Sequence, residues 1–152
     1  MTKIFHYNFV VHEDAIDGNG HVNNVEYVQW MQDIAILHSS HQGGTTEKYQ
    51  ELGSSWIIRT HYIEYLSPAF AGDEIEALTW VSDMRRVSSL RKYQFRRAND
   101  QTLLAKAETR WVYVDVKSGR PIQIHAEIVD AFELVPIDQE PWNGVSKNGK
   151  VI

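Results

Sequence analysis

The chain has 152 residues, 43% of them hydrophobic, with five Trp, seven Tyr, no Cys and a formal charge of −5. That length suits one domain, able to bury roughly two-thirds of its unfolded surface without disulfides or metal, and the apolar content is too high for disorder. The missing cysteine excludes disulfides, thiolate nucleophiles and cysteine-ligated metals, and the acidic balance argues against a nucleic-acid coat, which needs a basic face.

Residues 4–12 alternate loosely, with Phe5, Tyr7, Phe9 and Val11 on one face, and their aromatic and branched content predicts a first strand. Asn23 or Asn24 can then cap a helix, because a carboxamide oxygen accepts from a free amide of the first turn. From there Asn24, Tyr27, Val28, Met31, Ile34, Ala35 and His38 fall on one face at helical spacing, with Glu26, Gln29 and Asp33 on another. Trp30 and Ile36 widen the apolar part, so the helix is expected to be buried on more than one side. It should end near Gly43 and Gly44, residues suited to a left-handed cap. Residues 45–52 read as a short second helix before Gly53. Four strand-like runs follow at 56–66, 74–84, 88–98 and 103–116, broken by Pro68, Gly72-Asp73, Asn99-Asp100 and Ser118-Gly119. Residues 124–134 suit a short helix or a final strand, and from Pro136 the chain reads as a polar tail carrying Trp142. One long helix followed by adjacent antiparallel strands predicts an α+β domain over residues 1–135, with 136–152 as the tail. No stretch holds the ~18 consecutive apolar residues of a membrane span, so a soluble, cytoplasmic protein with no membrane partner is expected.

Between the first strand and the long helix lies Asp14-Ala15-Ile16-Asp17-Gly18-Asn19-Gly20-His21-Val22-Asn23-Asn24. Helix starts leave backbone N–H groups unpaired and carry partial positive charge, so such a loop can hold a substrate oxygen beside an attacking group. The amide of Asn24 is the expected oxyanion donor, and Gly20 lets the backbone approach a ligand closely. An ordinary capped helix would explain the asparagines equally well, and an Asp-Gly pair commonly means a turn aspartate bonded to its own backbone.

The string Ile16-Asp17-Gly18-Asn19-Gly20-His21-Val22-Asn23-Asn24-x-x-Tyr27-x-x-Trp30 resembles the signature of hotdog-fold thioesterases, of both the hydroxybenzoyl-CoA/acyl-CoA type and the acyl-ACP type. A second segment, Glu64-Tyr65-Leu66-Ser67-Pro68-Ala69-Phe70-Ala71-Gly72-Asp73, looks like the next landmark of that family, and Met84-Arg85-Arg86-Val87-Ser88 and Asp115-x-x-Ser118-Gly119-Arg120-Pro121 match more weakly. The resemblance implies a curled antiparallel sheet wrapped around one long helix and a cytosolic hydrolase of acyl-CoA or acyl carrier protein thioesters. It needs no cofactor and no metal, and it assembles as a homodimer or a dimer of dimers with each site between subunits.

In that resemblance Asp17 is either general base toward water or nucleophile toward the acyl group. Asp14 is the competitor three residues earlier. Asn19 and His21 complete Asp-x-Asn-x-His as in the acyl-ACP enzymes, where such groups orient water or polarise the carbonyl; Gly20 and Tyr27 fall among the substrate-binding positions. The chain departs from the acyl-ACP pattern where a further polar site residue would follow the helix: Pro68 and Ala69 stand there, leaving Glu64 as a substitute. Arg85, Arg86 and Ser88, with Arg91 as a further candidate, correspond to a basic patch able to hold the phosphates of coenzyme A; the plain alternative is a solvated strand end. His38 and His41 have i, i+3 spacing, but imidazoles near a helix end suit its negative dipole without any metal. No Gly-x-Ser-x-Gly elbow marks a serine hydrolase. A same-fold dehydratase and a non-catalytic acyl-CoA-binding or dimerisation module are the alternative functions.

Overall fold

The computed structural model describes residues 3–141. Strands β1 (Phe5–Val10), β2 (Ser54–Tyr65), β3 (Glu74–Met84), β4 (Ser88–Arg97) and β5 (Leu103–Asp115) form one antiparallel sheet in the order β1-β3-β4-β5-β2. Helix α1 (Asn24–His41) lies on one face of it, α2 (Thr46–Leu52) leads into β2, and α3 (Ala126–Ala131) follows β5. Short 3₁₀ turns occupy Glu13–Ala15 and Ile137–Gln139. The α+β expectation holds, and every strand run read from the sequence is a strand.

Local chemistry explains the boundaries. Asn23 caps α1 through its carboxamide oxygen, 3.0 Å from the Val25 amide, and Thr45 caps α2 by accepting from the Lys48 amide at 3.1 Å. Gly53 ends α2 at φ +64°, a left-handed conformation that suits a residue without Cβ.

The buried stripe of α1 is Tyr27, Met31, Ile34, Ala35 and His38. It packs on the strand residues that alternate toward it: Ile75 and Ala77 of β3, Tyr93 and Phe95 of β4, Ala105 and Ala107 of β5. Both sheet edges reach the same helix. Phe9 of β1 meets Trp30 at 4.9 Å between ring centroids, and Tyr65 of β2 meets Tyr27 at 5.4 Å. A flat sheet five strands wide would span roughly 20 Å at ~4.8 Å per strand, so the two edges touch one helix only because the sheet curls around it.

One expectation needs correction. Ile36 does not extend the buried surface: it is 59% exposed, as is Val25 at 72%, and α1 buries one face against the sheet. The 124–134 segment supplies the expected short helix as α3, after which Leu134 pairs in parallel with Val81 along the part of β3 beyond the end of β1. Val135 is then buried on Leu78 and Trp80 of the outer face. The polar stretch read as a tail continues on that face, where Glu140 accepts from Lys92 Nζ at 2.7 Å and from the Trp80 indole at 3.4 Å. Trp142 lies outside the described residues. None of the described helices is long and apolar enough to cross a membrane.

Phe95 is fully buried between Tyr27 and Trp30. Phe95→Ala is expected to cost about 3–5 kcal/mol by emptying the centre of the helix–sheet contact, measurable as a lowered urea midpoint with unchanged slope.

Candidate active site

The loop from Val11 to Asn23 is closed on itself before α1 begins. Ile16 and Val22 form an antiparallel bridge, the Asp17 amide donates to the His21 carbonyl at 2.8 Å, and the Gly20 amide donates to the Asp17 carbonyl at 3.1 Å. Gly20 sits at φ +81°, the conformation this tight return requires. The loop is then docked on the segment after β2 by Val22 N–H to the Ala69 carbonyl at 2.9 Å.

Asp17 Oδ1 accepts from the Asn19 amide at 2.8 Å and from the His21 amide at 3.4 Å. These are the backbone bonds of a turn aspartate, and they also fix the carboxylate. Oδ2 has no hydrogen-bond partner among the described residues, so one oxygen is anchored while the other is available. Asn19, Gly20 and His21 are exposed, and the His21 ring meets the Phe70 ring edge-on at 5.6 Å. Asn24 is the first residue of α1, so its amide falls among the unpaired donors of the first turn; its carbonyl accepts from the Tyr65 hydroxyl at 3.1 Å. Tyr27 is placed in the core, its ring among Trp30, Tyr65 and Phe95, and burial pushes its hydroxyl well above the usual tyrosine range.

The basic patch is elsewhere. Arg85 and Arg86 are exposed at the turn between β3 and β4, where the Arg85 amide donates to the Ser88 carbonyl at 2.7 Å and the Arg85 side chain lies 3.5 Å from Asp83. The Asp17 loop leaves the sheet where Val10 pairs with Glu74, and Met84 is at the other end of the 11 residues of β3. Eleven strand residues span roughly 35 Å, so one chain does not bring the patch to the loop. Glu64, the substitute acid, points to the outer face beside Lys106, away from α1.

Arg97 is the residue that sequence reasoning missed. Its Nη2 donates to the Pro68 carbonyl at 2.8 Å, its Nε to Asp73 Oδ2 at 3.1 Å and its Nη1 to Asp100 Oδ2 at 3.0 Å, while Asp73 Oδ2 accepts from the Phe70 amide at 2.9 Å. This clamp fixes the segment on which the Asp17 loop and His21 rest. Only the Gly72-Asp73 turn and the paired Arg96-Arg97 hinted at it.

Residues 10–132 match the model of the thioesterase-like superfamily. The chain belongs to that superfamily. Among curated proteins, the acyl-CoA thioester hydrolase YbgC of Escherichia coli O157:H7 and of Shigella flexneri is 25% identical over 132 residues, covering 87% of this chain and 98% of the relative. Solved structures of the same fold include a 1,4-dihydroxy-2-naphthoyl-CoA thioesterase from Synechocystis, with TM-score 0.77, 19% identity and coverage of 84% and 94% of the two chains. Another is a DHNA-CoA thioesterase from Staphylococcus aureus, with TM-score 0.79, 16% identity and coverage of 88% and 98%. The curled sheet around α1 is therefore the hotdog fold, as the sequence motif implied.

A second feature of the thioesterase-like domain lies at the other end of α1. His38 is buried, with Nδ1 2.8 Å from Arg91 Nη1. Arginine only donates, so Nδ1 is the acceptor and the ring is neutral. Burial, then the adjacent Arg91 guanidinium and His41, lower its pKa to about 3. An unfolded-chain histidine titrates near 6.5, so between about pH 6.5 and 3 the unfolded state holds a proton that the folded state does not. Stability contributed by neutral His38 is complete above pH 6.5 and is lost as the pH falls toward 3, at a limiting slope of about 1.4 kcal/mol per unit. Urea unfolding at pH 7.5 and 5.0 is expected to show a fall whose His38 share is about 2 kcal/mol, with His38→Gln, which keeps an acceptor, flattening the profile by that amount.

Proposed function

We propose that the protein hydrolyses an acyl-CoA or acyl carrier protein thioester to the free acid and the thiol, with Asp17 and a water. The observation that carries this is the meeting, in one exposed loop, of a carboxylate fixed by two backbone amides and the first-turn amides of α1. The family assignment supports it at the level of thioester hydrolysis. The YbgC relative is named an acyl-CoA thioester hydrolase, which favours coenzyme A as the thiol.

As general base, Asp17 Oδ2 takes a proton from water while the water oxygen bonds to the acyl carbon; as nucleophile, Oδ2 itself bonds to that carbon and water later opens the anhydride. Either way the C–S bond breaks and the sulfur leaves as thiol after gaining a proton. The developing negative charge on the carbonyl oxygen is met by the Asn24 amide with the helix dipole behind it, and Asn19 and His21 orient the water or the carbonyl. Asp17→Asn is expected to lower turnover at least ~100-fold with the fold intact, because shape is kept and basicity lost. Released thiol is the readout, and Asp14→Asn, in the 3₁₀ turn before the Ile16–Val22 bridge, is the control; near-normal turnover by Asp17→Asn would remove the assignment.

The basic patch joins the site through assembly. β2 is an edge strand 12 residues long, with Ile57, Tyr62 and Tyr65 exposed along it, and soluble proteins seldom leave such an edge bare. Its Tyr65 end touches α1 beside the Asp17 loop, whereas its Ser54 end pairs with Asp115, near the strand that pairs with Ser88. Antiparallel pairing of two β2 strands about a twofold axis would put the Ser54 end of one subunit beside the Tyr65 end of the other. The partner's Arg85-Arg86 turn then lies at the same end as this chain's Asp17, where it holds the thiol carrier's phosphates.

This shared site makes a sharp expectation for mixed dimers. Asp17→Asn subunits combined with Arg85→Ala/Arg86→Ala subunits should recover roughly a quarter of wild-type activity on coenzyme A substrates, since random pairing restores one intact site in each mixed dimer. No recovery in dimers shown to have exchanged subunits would mean that both groups act from one chain.

A further inference from the structure

Between the C-terminal half of α1, α2 and the start of β2 lies a cavity of about 510 Å³. Its rim is exposed at Ile36, Ser40, Ser55 and Ile57, its walls include Trp56, Trp111 and Phe132, and Ala35, Val81 and Arg91 are buried at its floor. The size and apolar walls match small-molecule pockets, which typically measure ~300–1,000 Å³ and carry a few fixed polar groups. Here the charged one is Arg91.

Arg91 is an unusual floor. Arg97 and Arg110 are half-buried and paired with Asp73 and Asp83 respectively. Arg91 is only 6% exposed, yet it meets no carboxylate among the described residues. Its Nη1 serves both His38 Nδ1 at 2.8 Å and Thr79 Oγ1 at 3.1 Å, and its guanidinium lies 5.8 Å from the centre of the Phe132 ring. Every one of these partners is neutral. Its Nε and Nη2 donate to no described residue, and neither is among the sealed, unpartnered polar atoms, so they retain access to the cavity. A buried guanidinium without a counter-ion is costly, and a fork of free N–H donors is matched to a carboxylate. His38 presents its acceptor to Arg91 and so turns the arginine by one nitrogen, leaving the rest of the fork for a ligand.

We propose that this cavity, which lies at the Ser54 end of β2 and is therefore brought beside the partner subunit's Asp17 loop by the twofold β2 pairing, is the acyl pocket of that shared site, and that Arg91 at its floor selects acyl groups whose far end carries a carboxylate. The proposal rests on the thioesterase reading for its substrate, but the anion site itself does not depend on turnover. The apolar walls hold the methylene or ring portion of the acyl group, and Arg91 supplies the missing charge balance at its end.

Two measurements test it. Thiol release is compared for two acyl-CoA substrates of equal length, one ending in a carboxylate and one in a methyl group. The wild type should prefer the carboxylate-ended substrate in kcat/KM by about tenfold or more, and Arg91→Met should reduce that ratio by a similar factor, with partial return in Arg91→Lys. A wild-type preference for the methyl-ended substrate, or an unchanged ratio in Arg91→Met, would overturn the proposal. The second measurement needs neither turnover nor a folded variant: Trp56 and Trp111 fluorescence is titrated with a medium-chain alkanoate and with the alcohol of equal length. Tighter binding of the alkanoate supports the anion site, and equal or weaker binding overturns it. If the wild type hydrolyses neither thioester, the thioesterase reading fails while the titration still decides the anion site.

Discussion

Phe9 at one edge of the sheet and Tyr65 at the other both pack on the aromatic pair Tyr27 and Trp30 of α1, with Phe95 beneath them from the central strand. These contacts hold the sheet in its curl. They set the depth of the groove that α1 fills, and because Tyr65 also donates to the first carbonyl of α1, they fix the helix start on which the Asp17 loop depends. Aromatic rings carry much of the buried area and prefer the tilted and edge-on arrangements found here, so the curvature is specified by shape as well as by apolar area.

The loop itself is polar and exposed, and its order has to come from its own hydrogen bonds. One oxygen of Asp17 closes the turn by accepting backbone amides, and the other has no hydrogen-bond partner among the described residues, which leaves it for the proposed chemistry. The competing structural and catalytic roles of this residue are therefore compatible. Support from below comes through Arg97, whose three donors reach Pro68, Asp73 and Asp100, so that the surface beneath His21 is braced by a residue with no contact to the reacting groups.

The opposite end of α1 has a different electrostatic character. A neutral histidine, a threonine hydroxyl and a phenyl ring surround a buried guanidinium. Such an environment positions the cation without neutralising it. The two ends of one helix thus carry complementary devices, an anchored carboxylate at its start and, near its end, a cation that meets no carboxylate among the described residues.

The order of elements, the bounds of α1 to within a residue or two, the choice of asparagine as its cap and the composition of the Asp17 loop were all legible in the sequence, because periodicity and capping are decided among residues a few positions apart. Curling was implied there only by likeness to a family. Other features were decided by tertiary structure. β2 crosses to the far edge beside β5, so Glu64 faces outward beside Lys106 and Ile36 is left in the open. The Arg85-Arg86 turn falls at the wrong end of β3 for a site within one chain. Arg91, read from the sequence as a further member of the Arg85-Arg86 phosphate patch, does not belong to that exposed turn: it is buried against His38, 53 residues away. The physical reason is common to these cases: a side chain's partner across a sheet, or beneath a helix, is chosen by strand order and curvature, and neither is encoded in the local alternation of apolar and polar residues.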